Sequence, residues 1–280
     1  MKCHWSELLN LLPFWLRDPV DKLGKEDMQE LRLRIFSPPE VKTGHGSFWL
    51  ERNVSMEDIS YCLNMATRYS PWTSGSIKEG FLTAQGGHRI GICGECVYDG
   101  EKLKNINQVS SVCIRIAREY PDVSGTAFRN RDSVLIIGSP GSGKTTFLRD
   151  LICKTSNHYE GAVTVVDERR ELFPCAGGKF LFERGKRTDI LSGGRKTIGI
   201  EMAIRTMGPS VVAVDEITGQ ADCEALQKAA RCGVRLFATA HAGNKEELSE
   251  RKIYSSIMQE HIFDRLIVMR QDKTWYEEVL

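Results

Sequence analysis

A strand, a glycine-rich loop and a helix in direct succession constrain this chain more than any other feature in it. Residues Gly138-Ser139-Pro140-Gly141-Ser142-Gly143-Lys144-Thr145 match G-x-x-x-x-G-K-[ST] without a mismatch. The apolar run Val134 to Ile137 precedes them, and Phe147, Leu148, Leu151 and Ile152 follow at helical spacing. Glycine lets a backbone wrap closely around phosphate where a Cβ would block it. The loop amides and the helix N-terminus then aim partial positive charge at the same point. The pattern predicts a nucleoside triphosphate site over Gly138 to Thr146, with the Lys144 ammonium on the β- and γ-phosphates and the Thr145 hydroxyl on Mg²⁺.

The surrounding sequence predicts the sheet that such a loop needs. From Asp132 onward, short β-branched apolar runs alternate with longer helical patterns: Val134 to Ile137, Ala162 to Val166, Val211 to Val214, Leu236 to Ala240 and Leu266 to Met269. Continuous apolar strands separated by helices imply a parallel α/β sheet covered on both faces. Residues 1–122 have a different texture. Ser55 is a candidate N-cap, with Glu57 and Asp58 in the first turn and Ile59, Cys62, Leu63 and Ala66 on one helical face. Turn-bounded strand candidates follow at Phe81 to Thr83, Arg89 to Ile92 and Val112 to Ala117. A polar, turn-rich stretch then marks a boundary. The expected organisation is a mixed α/β N-terminal domain over 1–122, a linker over 123–131 and the phosphate-loop domain over 132–280.

Ligands on open α/β sheets sit beyond the carboxyl ends of the strands, so the residues that close each apolar run are the next candidates. Val211 to Val214 ends in Asp215-Glu216, where Asp215 would orient the Mg²⁺ shell and Glu216 would polarise the attacking water. Val163 to Val166 ends in Asp167-Glu168-Arg169, and Leu236 to Ala240 ends in His241, placed to sense the γ-phosphate.

Composition narrows the classes. Thirty-eight basic and 37 acidic residues leave a net charge of +1, which removes the usual electrostatic reason to expect nucleic acid. No apolar run approaches the ~20 residues of a membrane span. The apolar start MKCHWSELLNLLPFWLRDP is interrupted by Ser6, Glu7 and Asn10, and reads as a packed or partner-facing helix rather than a signal peptide. Nine scattered cysteines read as reduced thiols. Cys93 and Cys96 form a C-x-x-C pair with no second pair beside it, and read as strand residues.

The four strand-end motifs in this order resemble the type II/type IV secretion ATPase superfamily: phosphate loop, acidic "Asp box", Walker B segment and "His box". Finer features resemble its stage III sporulation protein AA branch. These are Glu30 to Arg34, Gly86 to Gly91, Ile114 to Glu119, Val166 to Arg169 and Arg187 to Leu191. The likeness runs from about residue 30 to 270. It implies a RecA-like P-loop ATPase domain beside a smaller mixed α/β domain, with ATP and Mg²⁺ as ligands. It gives Glu216 the Walker B role, His241 the His-box role and one of the two Asp-box carboxylates, Asp167 or Glu168, a catalytic role, with Glu168 taken as the candidate. Asp215 stands where many members have glycine, which favours the sporulation branch, and the tetracysteine module of some type II members is absent.

Phosphoryl transfer also needs positive charge at the γ-phosphate, and an arginine finger is worth roughly 10³ to 10⁵ in rate. In the resembled family such arginines come from a neighbouring subunit or domain, and Arg89, Arg115, Arg118 and Arg187 are the candidates, Arg187 foremost. An isolated subunit is then expected to turn over slowly and ring formation to activate it. The resemblance further implies a homohexamer at the cytoplasmic membrane face, held there by channel or secretion-apparatus proteins. In the sporulation branch that is the mother-cell side of the channel to the forespore. Two rival classes share the core fold: a nucleic-acid motor, and a scaffold that binds ATP and barely hydrolyses it.

Overall fold

The computed structural model describes residues 1–67, 80–128, 132–176 and 178–280. The last three positions of the expected linker, 129–131, lie outside the described residues. The described chain forms two compact units, Met1–Glu119 with Cys175–Leu181, and Tyr120–Pro174 with Phe182–Leu280.

The first unit begins with two short helices, α1 (Trp5–Leu11) and α2 (Phe14–Leu23), separated at Pro13. Leu8, Leu11, Leu12, Leu16 and Val20 are buried, so the apolar start of the sequence is packed into this unit's core. Strands β1 (Met28–Arg34), β2 (Glu40–Thr43) and β3 (Gly46–Trp49) form an antiparallel meander. Helix α3 (Met56–Thr67) follows. The Asp58 amide donates to Ser55 Oγ at 3.2 Å while the Ser55 amide donates to an Asp58 carboxylate oxygen at 2.9 Å, a reciprocal cap. Ile59, Cys62 and Ala66 are buried on its inner face, as the spacing predicts, and Leu63 packs at the margin. Strands β4 (Phe81–Thr83), β5 (Arg89–Asp99) and β6 (Lys102–Arg115) complete a six-stranded antiparallel sheet of order β3-β2-β1-β6-β5-β4. Leu31, Leu33, Ile90, Ile92, Val112 and Ile114 line its inner face under the helices. Cys93 and Cys96 are exposed free thiols on β5.

Between β4 and β5 the segment Gly86-Gly87-His88 has a steric and a polar cause. His88 is fully buried. Its Nδ1 accepts the Ala117 amide at 3.2 Å, which leaves Nε2 as the protonated nitrogen, 3.0 Å from the His4 carbonyl it donates to. Gly86 has φ +75°, and a Cβ there would stand 2.7 Å from His88 Nε2 and 2.8 Å from His4 Cβ. Only glycine fits.

The second unit carries the phosphate loop. Strand β7 (Val134–Gly138) and helix α4 (Lys144–His158) flank it, and β8 (Val163–Asp167) follows. The chain then makes a hairpin, β9 (Cys175–Ala176) and β10 (Lys179–Phe180), that belongs to the first unit. It continues through β11 (Thr188–Ser192), α5 (Lys196–Met207), β12 (Val211–Val214), α6 (Gln220–Arg231) and β13 (Arg235–Ala240). Short helices α7 (Lys245–Glu250) and α8 (Ser255–Gln259) lead into β14 (Arg265–Met269) and β15 (Trp275–Val279). The seven strands lie in the order β11-β8-β12-β13-β7-β14-β15, parallel except for β15. All five apolar runs predicted from sequence are strands of this sheet, with Val134 to Ile137 and Val211 to Val214 wholly buried. On one face Leu135, Ile137, Val166, Val212 and Val214 pack under α5 and α6. Helix α4 packs on β7, β8 and β13 through buried Phe147, Leu148, Leu151 and Ile152. Gly199 lets α5 approach closely, since a Cβ there would lie 2.5 Å from Val166 Cγ1. Among the described residues no helix is long and apolar enough to cross a membrane.

Burial pulls the His88 imidazole from its ordinary value near 6.5 down to about 4. The unfolded chain takes up a proton that the folded one refuses. Stability is therefore whole above about pH 6.5 and falls as pH drops toward 4, by about 3 kcal/mol at most. Urea titrations of the first unit across this range should show the loss in the parent chain, and a smaller one in His88→Gln, which cannot titrate. Equal pH slopes would contradict the assignment.

Candidate functional site

The parallel register decides which residues meet. Val214 of β12 pairs with Val166 of β8 on one side and Ala238 of β13 on the other. The next residue, Asp215, therefore emerges between Asp167 and Thr239. Ala240 pairs with Ile137 of β7, so His241 emerges beside the start of the phosphate loop. These strand ends gather three of the predicted site residues, Asp215, Glu216 and His241, beside Lys144 and Thr145.

Within the loop, Gly141 and Gly143 take φ +76° and +104°, left-handed conformations that turn the chain into α4. At Gly138 a Cβ would lie 2.5 Å from Ser142 Oγ and 2.7 Å from the Met269 carbonyl, so the loop base admits no side chain. Lys144 is buried and donates to the carbonyls of Gly138 and Ser139 at 2.8 and 3.0 Å. Burial lowers its pKa, and the carboxylates of Asp215 and Glu216 push back against that. The Lys144 ammonium also reaches His241 Nδ1 at 3.1 Å. A lysine has no acceptor, so Nδ1 is unprotonated and Nε2 carries the hydrogen toward Glu216 Oε1, 3.3 Å away.

Asp215 is held by two hydroxyls. Thr145 Oγ1 donates to its Oδ2 at 2.8 Å and Thr239 Oγ1 to its Oδ1 at 2.6 Å. Thr239 Oγ1 also accepts the Glu216 amide at 2.7 Å. Glu216 has φ +54°, a left-handed conformation that costs of order 1–3 kcal/mol in a residue with a Cβ and persists only where its surroundings over-determine it. Its carboxylate pairs with Arg169 as well as His241. Its carbonyl accepts Lys196 Nζ at 2.5 Å.

The Asp box separates into two roles. Asp167 is buried and accepts the amides of Glu171 and Phe173, both at 2.9 Å, which folds the loop after β8. Burial raises its pKa, partly offset by those amides. Glu168 is half-buried and lies 3.4 Å from the buried Lys196 Nζ. Arg187 is not brought to this site within the chain. It stands just before β11, its amide donating to Ser156 Oγ at 2.7 Å, at the end of the sheet where β8 begins. That is about 13 Å of strand from Asp167. Arg118 is spent on the carbonyls of Lys25 and Met28.

Arg89 and Arg115 are direct cross-strand partners on β5 and β6. With Arg32 and Arg34 they line a cavity of about 350 Å³ on the sheet of the first unit. Arg89 lies over the Phe81 ring at 3.9 Å, and Glu30 is 3.6 Å from Arg115.

The residues fit a magnesium–triphosphate ligand. The glycines keep the loop backbone clear of side chains, Thr145 and Asp215 present oxygens side by side, and buried Ser142 Oγ has no hydrogen-bond partner among the described residues. Sequence reading missed Thr239, Lys196 and Arg169 as site residues, together with Gln271 and Lys273. Gln271 Nε2 donates to the Pro140 carbonyl at 3.2 Å and Lys273 Nζ donates to that of Gly141. The motifs Thr239-Ala240-His241 and Asp167-Glu168-Arg169 held two of them in view; Lys196 carried no signal.

A family model described as "Sporulation stage III, protein AA" matches residues 6–277. The stage III sporulation protein AA of Bacillus subtilis is 31% identical over 96% of this chain and 92% of its own length. A solved structure of the pilus retraction motor PilT with bound ADP superposes with a TM-score of 0.63 at 14% identity, covering 95% of this chain and 81% of that one. The ATPase DotB of Yersinia pseudotuberculosis superposes at 0.61 and 14%, covering 95% and 78%. At such identities the likeness establishes the RecA-like P-loop fold.

Replacing Thr239 by Val keeps the shape but strands the Glu216 amide and an oxygen of Asp215. Chemical denaturation of the second unit should show a loss of about 1–3 kcal/mol, the cost of unpaired buried polar groups. Thr239→Ser should restore most of it.

Proposed function

Because this chain belongs to the sporulation stage III protein AA family, we propose that it is a secretion-type ATPase. In this reading it works as a homohexamer that hydrolyses ATP to drive or assemble a membrane channel, the one between mother cell and forespore. It lies on the mother-cell cytoplasmic face, held by channel proteins rather than by a span of its own. The observation that carries the reading is the meeting of Lys144, Thr145, Asp215, Glu216 and His241 where buried parallel strands end. The names of the proteins it resembles, an ATPase and a retraction motor, support the same class.

Each residue has a task in that chemistry. Lys144 leaves the carbonyls of Gly138 and Ser139 for the β- and γ-phosphate oxygens, a stronger partner for a poorly solvated ammonium. Magnesium, held through Thr145 and Asp215, supplies neutralising charge across the phosphates when bound. Glu216 orients the attacking water and takes up its proton as the bond from oxygen to the γ-phosphorus forms and the bond to the ADP oxygen breaks. To do so it must give up Arg169. His241 reads whether Lys144 has moved, since it touches both Lys144 and Glu216.

Among the described residues the cations at the loop are Lys144, Arg169 and Lys273, each held by a group of its own chain, and an arginine from a neighbouring subunit would add charge at the γ-phosphate. Arg89 and Arg115, adjacent on an open sheet face with Arg32 and Arg34, are the best-placed group to supply it to a neighbouring subunit. Arg118 and Arg187 are committed to backbone carbonyls. An arginine finger worth roughly 10³ to 10⁵ in rate corresponds to about 4 to 7 kcal/mol.

Glu216→Gln should keep magnesium-dependent ATP binding by calorimetry and lose phosphate release, while Lys144→Ala should lose binding. A Glu216→Gln chain with parent turnover would sink the reading. Turnover per subunit should rise with protein concentration as rings form. Arg89→Ala or Arg115→Ala should abolish that rise and leave ATP affinity as it was.

A further inference from the structure

Lys196 is the most buried cation near the site and has no part in the scheme above. It opens α5, and its side chain is 4% exposed. An ammonium has three hydrogens to give and nothing with which to accept, and a buried one persists only if paired. The three groups around it come from three different segments. Glu168, after β8, lies 3.4 Å away; Asp222, in the first turn of α6, lies 3.5 Å away. The third and shortest contact, at 2.5 Å, is the main-chain carbonyl of Glu216.

That carbonyl belongs to the residue with the unfavourable backbone. At one end of Glu216 the amide is bound by Thr239 Oγ1, and at the other the carbonyl is bound by Lys196. The peptide after Glu216 is also held through the Ile217 amide, which donates to the Thr239 carbonyl at 2.8 Å, so β13 fixes both flanking N–H groups while Lys196 holds the carbonyl between them, and the φ of +54° lies inside this frame. The side chain leaves the backbone in the direction that φ dictates, into the space between Arg169 and His241. Asp222 braces the same turn, because its Oδ2 accepts the Thr218 amide at 2.9 Å while facing Lys196.

We infer that Lys196 is a positioning residue for Glu216: from the carbonyl side it locks the left-handed backbone that aims the carboxylate, with Glu168 and Asp222 as its counter-ions. Glu168 then acts through Lys196. This rests on the hydrolytic reading for its effect on turnover, and on geometry alone for its effect on Glu216.

The test uses the full chain with Lys196→Met, and Lys196→Met/Asp222→Asn. The second variant relieves the carboxylate that the first strands and keeps an acceptor for Thr218, so it remains folded where the first does not. A crystal structure of the double variant should show Glu216 out of the left-handed region, and φ still near +54° would overturn the inference whatever the enzyme does. In steady-state assays kcat should fall about 100-fold, the scale of a misplaced reacting group, with the ATP affinity measured by calorimetry unchanged. A folded variant with parent kcat, or one whose ATP binding and kcat fall together, would also overturn it. Glu216→Gln in parallel separates the two failures. If it too leaves turnover intact, the hydrolytic reading is wrong; if it alone abolishes turnover, only the role of Lys196 is.

Discussion

Everything at the phosphate loop hangs on how two carboxylates are held in place at the ends of buried strands. Asp215 survives there because two hydroxyls meet its oxygens, Thr145 from α4 and Thr239 from β13. The same Thr239 oxygen receives the Glu216 amide. Three separate pieces of chain are thereby joined through two side-chain hydroxyls and one carboxylate. The bonds are short-range and directional, so any drift of β12 against β13 would break them together. The buried apolar strands prevent that drift: Val211 to Val214 are wholly buried between neighbours in parallel register.

The state described is one in which the cations of the site are occupied by the protein itself. Lys144 rests on two loop carbonyls, Arg169 on Glu216, and Lys273 on the Gly141 carbonyl. A triphosphate would compete with each of these partners; for the two lysines it would win because charge-assisted bonds to phosphate are stronger than bonds to neutral carbonyls. The first unit is organised by a different rule. One face of its antiparallel sheet is closed by helices over aliphatic side chains, while the opposite face gathers Arg32, Arg34, Arg89 and Arg115. Alternation along β1 and β6 makes this possible, since Leu31 and Leu33 point inward where Arg32 and Arg34 point out.

The parts of the fold legible in the sequence are those with a single cause. Strands buried on both faces must be apolar throughout, and all five such runs were visible. Edge strands have no such requirement. β11 exposes Asp189 and Ser192, and β15 carries Glu277 and Glu278, so neither stood out as a strand. At the edge of the other sheet β3 was hidden for the same reason, since every one of its residues is exposed, while β1 lies inside that sheet with its buried Leu31 and Leu33 interleaved with charged residues. In the site, the loop, Asp215, Glu216 and His241 were readable because each closes an apolar run. Lys196 was not, because nothing local distinguishes a buried lysine from a solvated one. Arg187 looked like a finger by resemblance. Register places it at the amino end of β8, committed to Ser156, away from the loop of its own chain.

By itself the sequence determined a parallel sheet with a phosphate-binding turn at its carboxyl edge and which residues close its strands. Glycine spacing and unbroken apolar runs each leave one local solution. Tertiary structure alone decided the partners: which hydroxyl meets which carboxylate, which lysine is dehydrated, and which arginines share a face. Those outcomes depend on strand order and register, which join residues 70 to 97 positions apart, as Thr145 with Asp215 and Lys144 with His241. No local pattern encodes a distance of that kind, because it is set by how the whole core packs.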